Sequence, residues 1–438
     1  MIKIRFILPS VLLLVALCWA YLEEFPRLEM EDTCFGSKHV KIPPTMNDKF
    51  ADLLAIAQGR VDENSPKNHE KVVIHEKLNS ENPTFAELTN FVFRWHSTNL
   101  ELFQYSISKN EMYPENEKVI KHLLKDLKTL PVYFIEYHEH YTEHFKIFLY
   151  LQTETRAIMK PGRAKRDEHA HPNHFYWDDY DRHNAEIAAY HLDRILGFRR
   201  AIPHVGRYVN IMEEIYPFAF DELLKTFYVT PGGNNCMTGR CENYCDTNHP
   251  TCGNPNIIEA SLAASLPTHD NATRDVYKYP WKRSFDKKRQ AIWEVDQNYC
   301  DTIRNIKPFK SGKRILDIVD LAIMDFLTGN MNRKYYEMFE IFGDDAFIIH
   351  SEFGQGFNRP NHDEVSILAP LQQCCTIRSS TLKTLIKYHT GSKKLSAALR
   401  DAMSSDPLTP ILLDSHLEAL DRRVALILET VRNCMKTK

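Results

Sequence analysis

Beyond its first twenty residues this 438-residue chain has no apolar run able to cross a bilayer, because every later run is short and broken by charge. It has no excess of either charge: 55 Lys and Arg stand against 58 Asp and Glu, a formal net charge of −3. Such a balance gives no pull toward nucleic acid or an anionic membrane surface. Internal repeats and low-complexity tracts are absent, so a repeat architecture is excluded. Glycine is absent between Tyr137 and Arg156, which excludes a glycine-rich phosphate loop from that stretch. The lone Gly354-Gln-Gly356 is weak evidence for one elsewhere. What is present is ordinary globular composition, 43% hydrophobic and 26% charged, enough for one large bilobal domain or two smaller ones.

The compartment is read from the start of the chain. Met1 to Arg5 is positively charged, Phe6 to Trp19 is apolar apart from Pro9-Ser10, and Ala20 is small. This predicts a secretory signal peptide over residues 1–20, with an uncleaved anchor as the alternative. The mature chain then carries no transmembrane segment. Nine cysteines follow Cys18. In an oxidising lumen they read as disulfides. For Cys236, Cys241, Cys245 and Cys252, four thiols within seventeen residues, zinc is the rival, although the C-x2-C knuckles of zinc ribbons are missing. Cys34 is left over as a free or intermolecular thiol. Asn271-Ala-Thr273 is a glycosylation sequon on an expected exposed loop.

Residues 21–85 are polar and aperiodic, which predicts a partly disordered stem. Phe85, Leu88, Phe91, Val92 and Trp95, then Val119, Leu123, Leu124 and Leu127, recur at helical spacing. Lys146–Leu151 and Arg156–Lys160 are short strand candidates. Asp181–Phe198 is an amphipathic helix, Arg314–Leu327 is apolar nearly all round, Phe347–His350 is a short buried strand, and Ile411–Cys434 is a last helix. Few strands followed by many helices predict an α+β fold.

Long stretches carry a family resemblance. They are Tyr180-Asp-Arg-His-Asn-Ala-Glu-Ile-Ala-Ala189, His191-Leu-Asp-Arg-Ile-Leu196, Trp293-Glu-Val-Asp296 before Cys300, and Ile315-Leu-Asp-Ile318. In the same order follow Asp325-Phe-Leu-Thr-Gly-Asn-Met331, Pro370-Leu-Gln-Gln-Cys-Cys375 and His416-Leu-Glu-Ala-Leu-Asp-Arg-Arg423. From about residue 155 to 434 the chain resembles the Fam-twenty family of Golgi kinases, which holds the Golgi casein kinase and the glycosaminoglycan xylosylkinase. The resemblance implies an atypical protein-kinase-like bilobal fold, with a helical extension and small sheet lobe over 86–258 and a larger helical lobe over 259–438. It implies the disulfides Cys236–Cys252, Cys241–Cys245, Cys300–Cys374 and Cys375–Cys434. It also implies ATP with Mn2+ or Mg2+ as cofactors, and location in the Golgi lumen and secreted medium.

Site residues follow from the resemblance one by one. Lys160, in Ala157-Ile-Met-Lys-Pro161, resembles the nucleotide lysine, and Glu186 the glutamate that pairs with it and binds metal. Ala263-Ala264-Ser265-Leu266 resembles the linker whose backbone meets adenine, although the family has phenylalanine at Ser265. The family's Gly-Asn-Met-Asp-Arg-His-His-Tyr-Glu is here Gly329-Asn-Met-Asn332-Arg-Lys334-Tyr-Tyr-Glu337. Glu337, a nucleotide contact, is kept. Asn332 stands at the catalytic base position, where an amide orients a hydroxyl but takes no proton near neutral pH. Losing a general base costs on the order of 10²–10⁴ in rate. The family's metal aspartate is replaced by Glu352, which keeps the carboxylate with one more methylene. Asp325 is expected to be structural.

A rival motif is His140-Tyr-Thr-Glu143-His144, an H-x-x-E-H pattern that makes a zinc peptidase only on a helix. With His138, His169, His171 and His174 it reads better as a solvated histidine patch. The sequence therefore predicts phosphoryl transfer to a serine of a secreted protein or to a hydroxyl of a proteoglycan glycan, weakened by Asn332 and Glu352. The alternative is a pseudokinase that acts as a nucleotide-binding scaffold or as partner of an active paralogue, or that forms a homodimer.

Overall fold

A computed structural model describes residues 50–60, 69–76, 81–115, 118–136, 142–170, 181–268, 272–284, 286 and 288–437. The expected signal peptide, Cys34, Asn271, His138, His140, His171 and His174 lie outside the described residues.

The small lobe is a five-stranded antiparallel sheet. Its strands are β1 (Val132–Glu136), β2 (Ile147–Leu151), β3 (Thr155–Pro161), β4 (His204–Asn210) and β5 (Ile257–Ala264), in the spatial order β1-β2-β3-β5-β4. Strand β2 alternates in burial, whereas β5 is buried on both faces from Ala260 to Ala264. The helices Lys118–Thr129 and His183–Leu196 pack on it and exclude water from both faces. Strand β5 runs through the expected lobe boundary at 258/259, so the sheet ends at Ala264.

The larger lobe is built around the helix Lys313–Thr328, buried along its length from Arg314 to Thr328. The helices Ala369–Cys374 and Asp414–Thr437 pack against it. Because it is surrounded, its three aspartates are buried and each is paired with arginine. Gly329 ends it with φ +76°, a conformation that costs a side-chain-bearing residue about 1–2 kcal/mol. A Cβ there would also lie 3.1 Å from Arg423 Nη1. The turn at Gly329 launches Asn330–Lys334 into the interlobe cleft, ahead of strand β7 (Tyr335–Phe339), which pairs with β6 (Arg274–Lys278).

One expectation changes. The 86–95 stretch is not one helix: Phe85–Thr89 is helical, Asn90 turns left-handed at φ 53°, and Trp95 is 97% exposed. The stem is ordered where it touches the large lobe. Helix Ala51–Ala57 packs on Ser379–Thr390, and Val73–Ile74 pairs parallel with Ile377–Arg378. Cys236, Cys241, Cys245 and Cys252 form two disulfides, so no thiol remains for zinc. Cys300–Cys374 and Cys375–Cys434 are also joined, closing spans of 74 and 59 residues. No helix among the described residues is long and apolar enough to cross a membrane.

Candidate active site

Lys160 lies near the end of β3, where it pairs with Ser261 on β5. Its ammonium meets three carboxylates: Glu186 Oε1 at 2.6 Å, Asp181 Oδ2 at 2.8 Å and Glu352 Oε2 at 3.2 Å. Each comes from a different stretch of chain. Glu186 is in the first turn of His183–Leu196 and its side chain is 3% exposed. Asp181 precedes that helix, and Glu352 follows the buried Phe347–His350 stretch. The last two are fastened together: Arg182 N–H donates to Gly354 O at 2.7 Å, and Glu186 Oε2 accepts from Phe353 N–H at 3.3 Å. A Cβ at Gly354 would stand 2.5 Å from Asp181 Cγ, so the close approach requires glycine.

Electrostatics follow from this crowding. Burial pushes the Lys160 ammonium down, but Asp181, Glu186 and Glu352 outweigh it and hold it well above the usual lysine range. The Lys160 ammonium, and then Lys146, hold the Glu352 carboxyl well below the usual carboxylate range. Burial raises Asp181, yet Lys160 and His144 bring it below its ordinary value. Glu352 sits at φ 58°, a strained conformation for a side-chain-bearing residue, and its side chain is 58% exposed.

Beside this cluster is a cleft of about 270 Å³. Its lining includes Asn332, Lys334, Glu337 and Glu352 from the large lobe, with Glu143, His144, Lys146 and Asp181 facing them. Asn332 N–H donates to Asn330 Oδ1 at 3.2 Å, and Asn330 Nδ2 donates to Asp325 Oδ1 at 2.9 Å and Glu352 O at 3.2 Å. The Asn332 Oδ1 atom is buried with no hydrogen-bond partner among the described residues. Asp325 receives two bonds from Arg333, at 2.8 and 2.9 Å, which occupies it structurally.

A family model described as Golgi casein kinase, C-terminal, Fam20 matches residues 98–438. The chain belongs to the Fam20 family. The human extracellular serine/threonine protein kinase FAM20C is 44% identical over 335 residues, 76% of this chain and 57% of that protein. Human pseudokinase FAM20A is 41% identical over 350 residues, 76% of this chain and 65% of that protein. This chain therefore spans less than two thirds of either. A solved Golgi casein kinase with Mn/ADP bound superposes with a TM-score of 0.79 at 33% identity, covering 94% of each chain. The kinase-like fold expected from the sequence is thereby established.

Within this Fam20 fold the expected site residues separate into two groups. Lys160, Glu186 and Glu352 meet at one point, and Asn332 and Glu337 line the adjoining cleft. Ala263–Leu266 do not line it. The Ala263 and Ala264 backbones lie in the sheet ladders, Ser265 N–H donates to Arg156 O, and Ser265 O accepts from Gln104 Nε2 at 2.8 Å. Glu337 is paired with Arg274 at 3.0 Å. Asp181 was missed in the sequence, although one ligand oxygen each of Asp181, Glu186 and Glu352 lie within 4.8 Å of one another. The described part of the H-x-x-E-H motif, from Thr142 on, is not helical, so its geometry does not suit a zinc peptidase.

Proposed function

We propose that this chain is a secretory-pathway kinase-family protein. It binds a nucleoside triphosphate with Mn2+ or Mg2+ in the cleft and passes phosphate slowly to a serine of a secreted protein or to a glycan hydroxyl. The observation that carries this reading is the set of three carboxylates around Lys160. Three anionic oxygens against one ammonium leave a negative excess, and hard divalent cations take oxygen ligands of this kind. Asp181, Glu186 and Glu352 would hold the cation, and Lys160 would then turn to the nucleotide phosphates. A cation bound there neutralises charge on the transferring group. Asn332 orients the acceptor hydroxyl without accepting its proton, which slows transfer without abolishing it, because positioning dominates this chemistry. Four disulfides fit an oxidising compartment, the Golgi lumen and beyond.

A second reading is a pseudokinase that binds nucleotide and serves an active paralogue. It is favoured by the loss of the proton acceptor at Asn332 and by the 41% identity to pseudokinase FAM20A. The full secreted chain, assayed for ATP turnover with Mn2+, distinguishes them. Asn332→Asp is expected to raise turnover at least about tenfold. ATP with Mn2+ is expected to raise the thermal midpoint by mass action. Fast wild-type turnover that Asn332→Asp leaves unchanged would overturn the account of Asn332. A raised midpoint with no turnover in either protein would establish the second reading.

A further inference from the structure

We propose that Lys334 is the docking point for the terminal phosphate of a bound nucleoside triphosphate, and that Glu143 is the counter-ion it displaces. The inference deepens the nucleotide-binding reading above and rests on it. Lys334 stands two residues beyond Asn332 on the large-lobe wall, and Glu143 stands on the connection between β1 and β2. Their side chains form an ion pair across the cleft, and both line the same cavity.

The neighbouring cations are committed elsewhere. Arg333 is buried and tied to Asp325 and to Ser351 O. Lys146 lies 3.6 Å from Glu352, and Lys160, which turns to the nucleotide only once a cation takes its carboxylates, is ringed by them. Lys334 instead takes a carboxylate from the opposite lobe, at an open site where the two side chains are 21% and 41% exposed. A pair so exposed adds little to stability and is readily given up. A phosphate oxygen offers the same ammonium a charge-assisted bond of the same kind, on a group that carries more negative charge. Little is therefore lost when phosphate takes the place of the carboxylate.

The exchange is also geometrically simple. Asn243 N–H donates to Glu143 O at 3.0 Å, and Glu242 N–H to Thr142 O at 3.0 Å, both from the loop closed by Cys241–Cys245. The Glu143 backbone is thus held and only its side chain has to rotate. Lys282 stands 5.1 Å from the centre of the Tyr335 ring. Burial, and then Lys278 and Lys334, push its ammonium below the usual lysine range. This side of the cleft mouth therefore carries several cations and draws an anion inward. A diphosphate lacks the group that would make the exchange.

The test is calorimetric binding of a non-hydrolysable ATP analogue and of ADP, each with Mn2+, to the full secreted chain. Lys334→Ala is expected to weaken the triphosphate analogue about tenfold and to leave ADP within about twofold. Glu143→Gln is expected to tighten the analogue several-fold, but to change nothing in the Lys334→Ala background. Lys334→Arg is expected to keep most of the preference for the triphosphate. Equal weakening of both nucleotides by Lys334→Ala overturns the inference, as does a Glu143→Gln effect that survives without Lys334. Failure of the wild type to bind either nucleotide overturns the nucleotide-binding reading and this inference together, whereas binding that both variants leave untouched overturns only the inference.

Discussion

At the cleft, Asp181, Glu186 and Glu352 share the ammonium of Lys160, with Lys146 at the rim. In the large lobe, Asp317, Asp320 and Glu76 share the guanidinium groups of Arg200 and Arg378, and Arg314 and Lys313 add further positive charge around Asp317. The residue types are nearly the same and the outcomes differ. The large-lobe cluster has cations enough for its carboxylates and is closed: Arg378 Nη2 meets Asp317 at 2.7 Å and Thr381 donates to Asp320 at 2.8 Å. The cleft cluster has too many carboxylates for its cations and opens toward a cavity. Balance makes a clamp that joins the Glu76 segment to the core, whereas imbalance beside a cavity makes a place for an ion.

That comparison breaks or sharpens under substitution. The largest effect is expected from Arg378→Met, which leaves Asp317 and Asp320 buried without their main partner. It should cost about 3–5 kcal/mol in urea unfolding, with no recovery on adding Mn2+. Lys160→Met should cost less, because water and cations reach the cleft, and its thermal midpoint should recover with Mn2+. Equal response of the two variants to Mn2+ would erase the distinction drawn here.

A smaller effect comes from pH. Asp317 is raised by burial but held below its ordinary 3.8 by Arg378 and Arg200. Its contribution to stability is therefore full above that value and is lost as the pH falls below it. Asp317→Asn should flatten this acid limb in unfolding curves. In Lys160→Met the sign reverses. Carboxylates crowded without a cation take up a proton more readily folded than unfolded, so that variant should gain on the wild type as the pH falls below about 5.

The sequence reveals some of this arrangement and hides the rest for physical reasons. Lys160 and Glu186 stand on a regular strand and helix, so their positions follow from local pattern. Asp181, expected as the first residue of that helix, lies just before it, because the helix starts at His183. The signal was present in its place five residues before Glu186 and in the need for a bare glycine at 354, which only the fold brings beside it. The ordered part of the stem was hidden because Val73 pairs with Ile377, some three hundred residues away, through a two-residue strand too short to show alternation. The helix expected through Trp95 failed for the opposite reason. Its spacing fits a helix, but Asn90 takes the left-handed turn that ends one. The backbone of Ser265 is used within the protein by Arg156 and Gln104, contacts that no motif encodes.

The connection over the cleft has a kinetic consequence. A glycine-rich flap opens by bending itself; this arch has no glycine from Thr142 to Arg156 and is crosslinked to a disulfide loop at Thr142 and Glu143. A nucleotide bound as proposed would therefore be expected to leave more slowly than from beneath a loop that swings. Reducing the Cys241–Cys245 bridge would loosen the roof and shorten the dwell time of whatever sits beneath it.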